Sequence, residues 1–537
     1  MSENLTQDNK KKDDLDFELK TSSDASAVLE NQGLNKEPST NQGNPSSIDH
    51  VNDGTTGPYD SLREYMAAIE TNGNVLRIKK MDQDSYEITG LMYKLIDKYG
   101  WLGAPTLIIE KVKVDGNWME GPVIVNQYGS AGHEAMAVGV SINEINDNQF
   151  DNFKKALNQV MSMGEIKLIQ PIEIAKEDTP SKEIILKGDE INVLDFPFLK
   201  SNPGDNGRFI NTGNLVTIDP EQGRNVGTYR MQIKGPRKIG INPEKGQDGW
   251  KFLMGMKEKG EKVAQAAVVL GTDPIVFAMS SSKTARTGQD ELEFAGGFKG
   301  SPIEVVKCED SEIRVPANVE MIIEGEIPLD DMEVEGPFGE MYGYMGLPHE
   351  EQFYMNIKTI THRKNPLFVN QFTGVTRGFI TSPYEANSTM GLRKFIPEVV
   401  NFHGPPDLTG YFFISIDKQK PHQAMEIAEK LSFIPIAKIM VVVDKDVNVH
   451  NPREVLATVA ARWQPHPNSK IIKEIESFRL DPSSKDRKNG SKIIIDATRQ
   501  WPEENGPEPY PKMNREHLVE HDPEIFDWIE KKFKDLI

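Results

Sequence analysis

At 537 residues the chain is too long for one ordinary domain, and its length suggests about three. Its 62 basic and 82 acidic residues leave a net charge of −20, which argues against a phosphate-backbone binder or a protein held on an anionic membrane surface. The single cysteine, Cys308, excludes an internal disulfide framework and a thiolate zinc site; it reads as a buried apolar thiol in a reducing compartment. Residues 1–57 hold 11 acids and 5 bases with hardly an aromatic, so they read as a disordered acidic tail. Order is expected from YDSLREYMAAIE, where Ser61 and Glu64 make a capping box and Leu62, Met66 and Ile69 recur at helical spacing. The strand NVLRIKK, a helix over 86–98 and the strand APTLIIEKV give an N-terminal α/β domain, 58–183. Short alternating strands with turn signals follow: RFINTGNLVTI, NVGTYRMQIKG, AQAAVVLG, IEVVKC and EMIIEGEIPL. They read as a mainly antiparallel barrel or sandwich over 184–372. From 373 the order alternates again through GYFFISI, a helix over 422–431, KIMVVVD, a helix over 452–462 and KIIIDAT, a second α/β domain reaching 537. The end segment PEIFDWIEKKFKDLI places Ile525, Trp528, Ile529, Phe533 and Ile537 on one helical stripe, which should dock on its own chain or a neighbour.

Several chemistries fall away. There is no GxGxxG opening a helix, no Walker-type phosphate loop, no HExxH and no GxSxG. His133 precedes Glu134, but no second histidine comes four residues after the first, so the two read as a surface pair. No run of about 18 apolar residues occurs and the first 30 residues lack a signal-peptide core, so a soluble cytoplasmic protein is expected. The sequons at Asn4 and Asn387 are then chance matches.

Positive signals lie in the middle of the chain. In VEGPFGEMYGYMG, Pro337 fixes one φ angle while Gly336 and Gly339 free two others, so a sharp turn could bring Glu335 and Glu340 onto one site. Two carboxylates there resist joint ionisation, leaving one protonated and able to act as an acid; a tight surface turn with solvated acids is the alternative. Asn225 and Arg230 share NVGTYRMQIKG at an odd spacing, which puts them on opposite faces of a regular strand unless a bulge intervenes or Asn225 lies at the strand's mouth. Gln247 and Asp248 in EKGQDGW and Glu291 in QDELEFAGG complete the polar set.

The motifs NVGTYRMQIKG, ELEFAGG, IEVVKC, EMIIEGEI, EGPFGEMYGYMG, KIMVVVDKDVN and IIIDAT occur in that order over residues 59–505. So ordered, they resemble the UbiD family of reversible decarboxylases, and the LDPSS and DAT segments look nearer to its phenolic-acid branch. The resemblance implies a multidomain α/β fold whose central split barrel binds prenylated FMN, supplied by a separate flavin prenyltransferase. It implies reversible decarboxylation of an aromatic, heteroaromatic or α,β-unsaturated acid through a covalent substrate–cofactor adduct, with CO2 as co-product. By motif position Arg230, Glu335 and Glu340 match the catalytic set, with Glu340 the proton donor. Asn225 and Glu291 match ligands of a divalent metal, Mn2+ or Mg2+, that clamps the cofactor phosphate, with K+ as a further ion. The third family ligand is a histidine; Gln247 occupies that position, and no histidine lies between 232 and 260. Amide and carboxylate oxygens would still make a hard site suited to Mn2+ or Mg2+. Thr228, Tyr229, Ser280 and Ser281 match positions near the flavin, and Lys430 a phosphate-binding lysine. Thr389, Met390, Phe478 and Leu480 fall where the substrate ring is expected. The family is commonly dimeric with some hexamers, so a homo-oligomer is expected. A non-catalytic flavin-binding subunit of a larger carboxylase complex is the alternative, and plain FMN used for redox work a further one.

Overall fold

The computed structural model describes residues 17–19, 56–219, 221–282, 284–285, 288–485 and 489–534. The chain divides into two compact units, residues 1–387 and 388–537. Most of the expected acidic tail and Ile537 of the terminal stripe lie outside the described residues.

The first unit contains two large sheets built on different rules and a small three-stranded one, in which Glu304–Lys307 of IEVVKC pairs with Arg314–Pro316 and Ile172–Glu173 and so lies outside the expected barrel. The N-terminal sheet is mixed: Val75–Asp82 and Thr106–Val114 run parallel, Asn117–Val125 turns back beside them, and Phe368–Asn370 returns from far along the chain to pair with Val123–Val125. Phe17–Leu19 pairs antiparallel with Leu76–Ile78. The helix Leu62–Asn72 begins as its sequence requires, with the Ser61 hydroxyl accepting from the Glu64 amide.

The second sheet is a closed antiparallel barrel of six strands: Phe209–Asp219, Gly223–Gly235, Lys238–Ile241, His349–His362, Met321–Pro328 and Val263–Leu270, each pairing with the next and the last with the first. Closure removes the exposed edges that such a sheet would otherwise present. Leu215, Met231, Val268, Ile323 and Met355 are buried in one core, while Val216, Val226, Ala267, Val269 and Ile322 join a second one with the helices. Successive residues of a strand thus enter different cores, as period-two alternation requires. Against the other side of the barrel wall lie the helices Pro274–Ser281 and Glu291–Lys299, capped by Asp273 and Asp290.

In the second unit Tyr411–Ile416 and Ile439–Asp444 are parallel neighbours at the centre of a five-stranded sheet. Phe412, Ile414, Met440 and Val442 enter one core and Phe413, Val441 and Val443 another, which explains why both segments read as unbroken apolar runs. The C-terminal end departs from expectation. The expected helix forms as Ile525–Lys532 behind a further short helix, Asn514–His521, but none of its residues is buried and Trp528 is half exposed, so the stripe does not dock on the described residues of its own chain.

A second departure concerns His133 and Glu134, expected at the surface and in fact fully buried. The Glu134 carboxylate accepts from the Thr381 amide at 2.8 Å, the Ser382 amide at 2.6 Å and the Arg377 guanidinium, itself buried. Burial depresses the His133 pKa to about 3, so the ring is neutral at ordinary pH. The helix Ala131–Ala137 is buried on every side, and sequence periodicity carries no signal for such a helix. Cys308 is buried, and burial with the nearby Glu324 carboxylate pushes its thiol up to about 12, so it is inert. Among the described residues no helix is long and apolar enough to cross a membrane.

Replacing Glu134 by alanine strands the Arg377 charge in a dry interior. Equilibrium urea unfolding should show a loss of about 3–5 kcal/mol; a loss within about 0.5 kcal/mol, the range of a neutral surface change, would mean that the pair does not anchor this region.

Candidate active site

Arg230 lies on the strand Gly223–Gly235, which pairs residue by residue with Phe209–Asp219 from Gly223 to Tyr229. The irregularity is on its neighbour, where Asn211 and Thr212 together stand opposite Arg230. Alternation therefore keeps Thr228 and Arg230 on one face and Asn225 and Tyr229 on the other. The odd spacing is real, and Asn225 sits near the strand's start.

Glu335 closes the short strand Glu333–Glu335, in register opposite His349. The chain then turns at Gly336, whose φ of +80° requires a residue without Cβ. It doubles back so that the Gly346 amide donates to the Phe338 carbonyl at 2.8 Å and the Glu340 amide to the Tyr344 carbonyl at 2.9 Å. A Cβ on Gly346 would lie 2.6 Å from Glu340 Oε1, so this glycine is what lets the glutamate fold inward. Arg230 Nε and Nη2 donate to the two oxygens of Glu335 at 3.1 and 3.0 Å, and Nη1 donates to Glu340 Oε1. Its guanidinium carbon lies 5.2 Å from the ring centroid of Phe338, which packs on Phe209. Glu335 and Glu340 are 0% and 5% exposed, which overturns the alternative of solvated turn acids.

The electrostatics separate the members of this cluster. Burial raises the Glu340 pKa, and Glu244 and Glu335 raise it further, outweighing the contact with Arg230 that lowers it. Burial alone would lower the Arg230 pKa, but Glu340 and Glu335 together drive it up, so the guanidinium is permanently charged. One cation thus faces two enclosed carboxylates, and Glu340 is the one poised to hold a proton.

On the Arg230 face, Thr228 Oγ1 lies 3.1 Å from Ser280 Oγ, 2.8 Å from Ser281 Oγ and 2.7 Å from Asn214 Nδ2. The serines end the helix Pro274–Ser281, so this polar patch joins a helix end to the barrel wall. Asn214 was not picked out by the sequence, since an asparagine in a barrel strand carries no pattern.

On the other face, Glu291 opens its helix and accepts from the Val226 amide at 2.8 Å, one residue from Asn225. Burial, with Asp290 and Asp248 nearby, raises its pKa to about 8. Asn225 is buried with Nδ2 unpartnered, so its amide has unused polar capacity. The Glu291 carboxylate beside Asp290 and Asp248 offers hard oxygen donors, and Asn225 could add only its side-chain oxygen, since the unpartnered Nδ2 is a donor with nothing to give a cation. Gln247 fits less well, because its Oε1 accepts from the Glu244 amide at 2.7 Å and is committed to its own turn. The following residue, Asp248, is felt by both Glu291 and Tyr229. Tyr229 is wedged against Gly227 and Gly249 and accepts from the Gly249 amide at 3.0 Å, fixing the turn that carries Gln247 and Asp248. Lys430, Thr389, Met390, Phe478 and Leu480 belong to the second unit; Lys430 is exposed at the end of the helix Gln423–Lys430, and Thr389 is buried.

Comparison with known proteins bears on this geometry. Residues 173–376 match the model of the 3-octaprenyl-4-hydroxybenzoate carboxy-lyase Rift-related domain, UbiD, and residues 379–497 its C-terminal domain. The chain belongs to the UbiD family. Its members and structural neighbours are carboxy-lyases, and this chain is a carboxy-lyase by family. An uncharacterised protein from Archaeoglobus fulgidus is similar at 31% identity over 85% of this chain and 95% of its own length. The UbiD-class enzyme HmfF from Pelotomaculum thermopropionicum, in complex with FMN, is similar at 29% identity and a TM-score of 0.72, over 84% of this chain and 97% of that one. Vanillic acid decarboxylase from Sedimentibacter hydroxybenzoicus is similar at 27% identity and a TM-score of 0.75, over 89% and 99%.

If Arg230 engages three carboxylate oxygens at once, Arg230→Lys keeps the charge and loses the fork. Urea unfolding should then show a loss of about 1–3 kcal/mol. Unchanged stability would mean that the fork contributes nothing to the fold.

Proposed function

We propose that this UbiD-family protein catalyses the reversible, non-oxidative decarboxylation of an aromatic, heteroaromatic or α,β-unsaturated carboxylic acid with prenylated FMN. The observation that carries the reading is the buried Glu335–Arg230–Glu340 cluster, in which one carboxyl is biased toward its protonated form beside a fixed cation. Loss of CO2 leaves an electron pair that side chains cannot accommodate, and the flavin, when bound, supplies the electron sink. Thr228, Ser280 and Ser281 offer it hydroxyls on the Arg230 face, and an evolved dimeric form of HmfF was solved with prFMN. Glu335 holds the guanidinium through both oxygens, leaving the Nη1 side of Arg230 toward Glu340 and an incoming carboxylate. Glu340 delivers its proton to the carbon that has lost CO2 and takes it back in the reverse direction. Enclosure of the cluster keeps water from competing for that carbon. The cofactor reaches the protein from a separate prenyltransferase, the barrel carries it, and the chain works as a homo-oligomer.

The protein should be produced with and without a flavin prenyltransferase and its bound flavin weighed. A prenylated flavin found only with the partner, together with CO2 release from one of a panel of aryl acids that includes vanillate and 3,4-dihydroxybenzoate, is the expected result. Glu340→Gln should lower turnover by about 10² to 10⁴ with the flavin retained; turnover within about tenfold of the parent would remove Glu340 as the donor.

The divalent ion, Mn2+ or Mg2+, would be held by Asn225, Glu291 and one residue of the 247–248 turn. Gln247 gives its oxygen to the Glu244 amide and Asp248 gives Oδ1 to Lys251 at 3.0 Å, so what favours Asp248 as the third ligand is the negative charge it brings to a hard cation. Asp248→Asn should weaken Mn2+ binding at least about tenfold, read by electron paramagnetic resonance, while Gln247→Ala should leave it within about threefold. The reverse order would assign the ligand to Gln247.

A further inference from the structure

The segment that carries Glu340 is held from outside by a second loop. Asp205 Oδ1 accepts from the Gly339 amide at 2.9 Å, and its Oδ2 accepts from the Asn202 amide at 2.8 Å. The Asn206 amide donates to the Pro337 carbonyl at 2.9 Å, and Asn206 Nδ2 to the Gly336 carbonyl at 3.0 Å. Gln232, two residues beyond Arg230 on the same strand, accepts from the Gly336 amide at 3.1 Å and donates to the Asn206 carbonyl at 2.5 Å. Consecutive polar groups of Gly336, Pro337 and Gly339 are thus met by one loop and by the strand that carries Arg230. The fit is close: a Cβ on Gly339 would lie 2.6 Å from Asn202 Nδ2.

Asp205 is the unusual member. It is 3% exposed, and no ion-pair partner stands within salt-bridge distance among the described residues. Burial raises its pKa even though the Asn202 and Gly339 amides and Lys200 pull the other way. A fold with no further use for this loop could satisfy two backbone amides with neutral acceptors and avoid the cost of burying a carboxyl group. A carboxylate accepts from two donors in divergent directions, which ties the 202–205 turn to the residue before Glu340 through a single planar group.

Resting on the assignment of Glu340 as proton donor, we propose that Asp205 is a positioning residue, which with Asn206 and Gln232 clamps the 336–339 turn and so sets the Glu340 carboxyl against Arg230. The acid is then positioned by two anchors, Arg230 at its head and Asp205 at its backbone. The charged groups that face Glu340 are Arg230, Glu335 and Glu244. Of these only Arg230 lowers its pKa, so a loosened turn frees Glu340 to titrate higher.

The test uses the full chain and needs no substrate. In Asp205→Ala, amide hydrogen exchange of the peptide 335–346 should speed up by about tenfold or more. The Glu340 titration midpoint, read by infrared difference against the matching Glu340→Gln protein, should rise by about one pH unit as the Arg230 contact loosens. Asp205→Asn, which keeps one acceptor, should recover part of both effects. Faster exchange across the whole chain with the Glu340 midpoint unmoved would make Asp205 merely structural and overturn the proposal, as would no change in either readout. Should Asp205→Ala fail to fold, Gly339→Ala pushes the Asn202 amide away from the same turn. It should raise the midpoint similarly, and adding Asn202→Ala should restore it; absence of restoration also overturns the clamp. Failure of the catalytic reading would be seen separately, as turnover that survives in Glu340→Gln while the clamp readouts stand.

Discussion

Everything at this site depends on one arginine shared between two buried glutamates. A guanidinium has enough donors, in a fixed plane, to grip both oxygens of Glu335 and still reach Glu340. One positive charge cannot neutralise two carboxylates in a dry pocket, so the structure holds an unbalanced charge that a proton on Glu340 relieves. The barrel wall, the Phe338 ring and the turn at Gly336 all serve to keep that imbalance enclosed. A solvated pair of glutamates would lose the bias, and with it the capacity to hand over a proton.

The two faces of the Gly223–Gly235 strand divide the chemistry. The face with Thr228 and Arg230 carries hydroxyls and the acid–base cluster; the other carries Asn225 and, through Tyr229, the turn of Gln247 and Asp248. Glu291 reaches the strand at its backbone, by way of the Val226 amide, and acts on Tyr229 of the Asn225 face. A bulge placed on the neighbouring strand opposite Arg230 leaves this division intact.

Much of this was legible in the residues, and the gaps have physical causes. Alternation located four barrel strands but not Lys238–Ile241 or His349–His362, and it drew IEVVKC into the barrel; Ser61 and Glu64 marked the first helix, because capped amphipathic helices leave a periodic trace. Proline and glycine spacing marked the turn that brings Glu335 and Glu340 together. The buried helix Ala131–Ala137 left no such trace, and His133 and Glu134 were misread for that reason. Asp205 and Asn206 sit in a glycine-rich loop where polar residues are ordinary, and only the distances to Gly336, Pro337 and Gly339 give them meaning. The committed oxygen of Gln247 is likewise invisible to spacing, since nothing in EKGQDGW says which side chain bonds back to its own turn.

The shared strand also acts as a ruler. Asn225 and Arg230 are separated by five residue steps of extended chain, about 17 Å at the usual rise. Both ends belong to one strand of a closed barrel, so breathing of loops or hinging elsewhere leaves that length unchanged. The spacing between the two residues, one on each face, is therefore set by the backbone itself. A single inserted or deleted residue between the two would change the length by about 3.3 Å and turn one end to the wrong face. Drift in this stretch should proceed by substitution and almost never by a change in length.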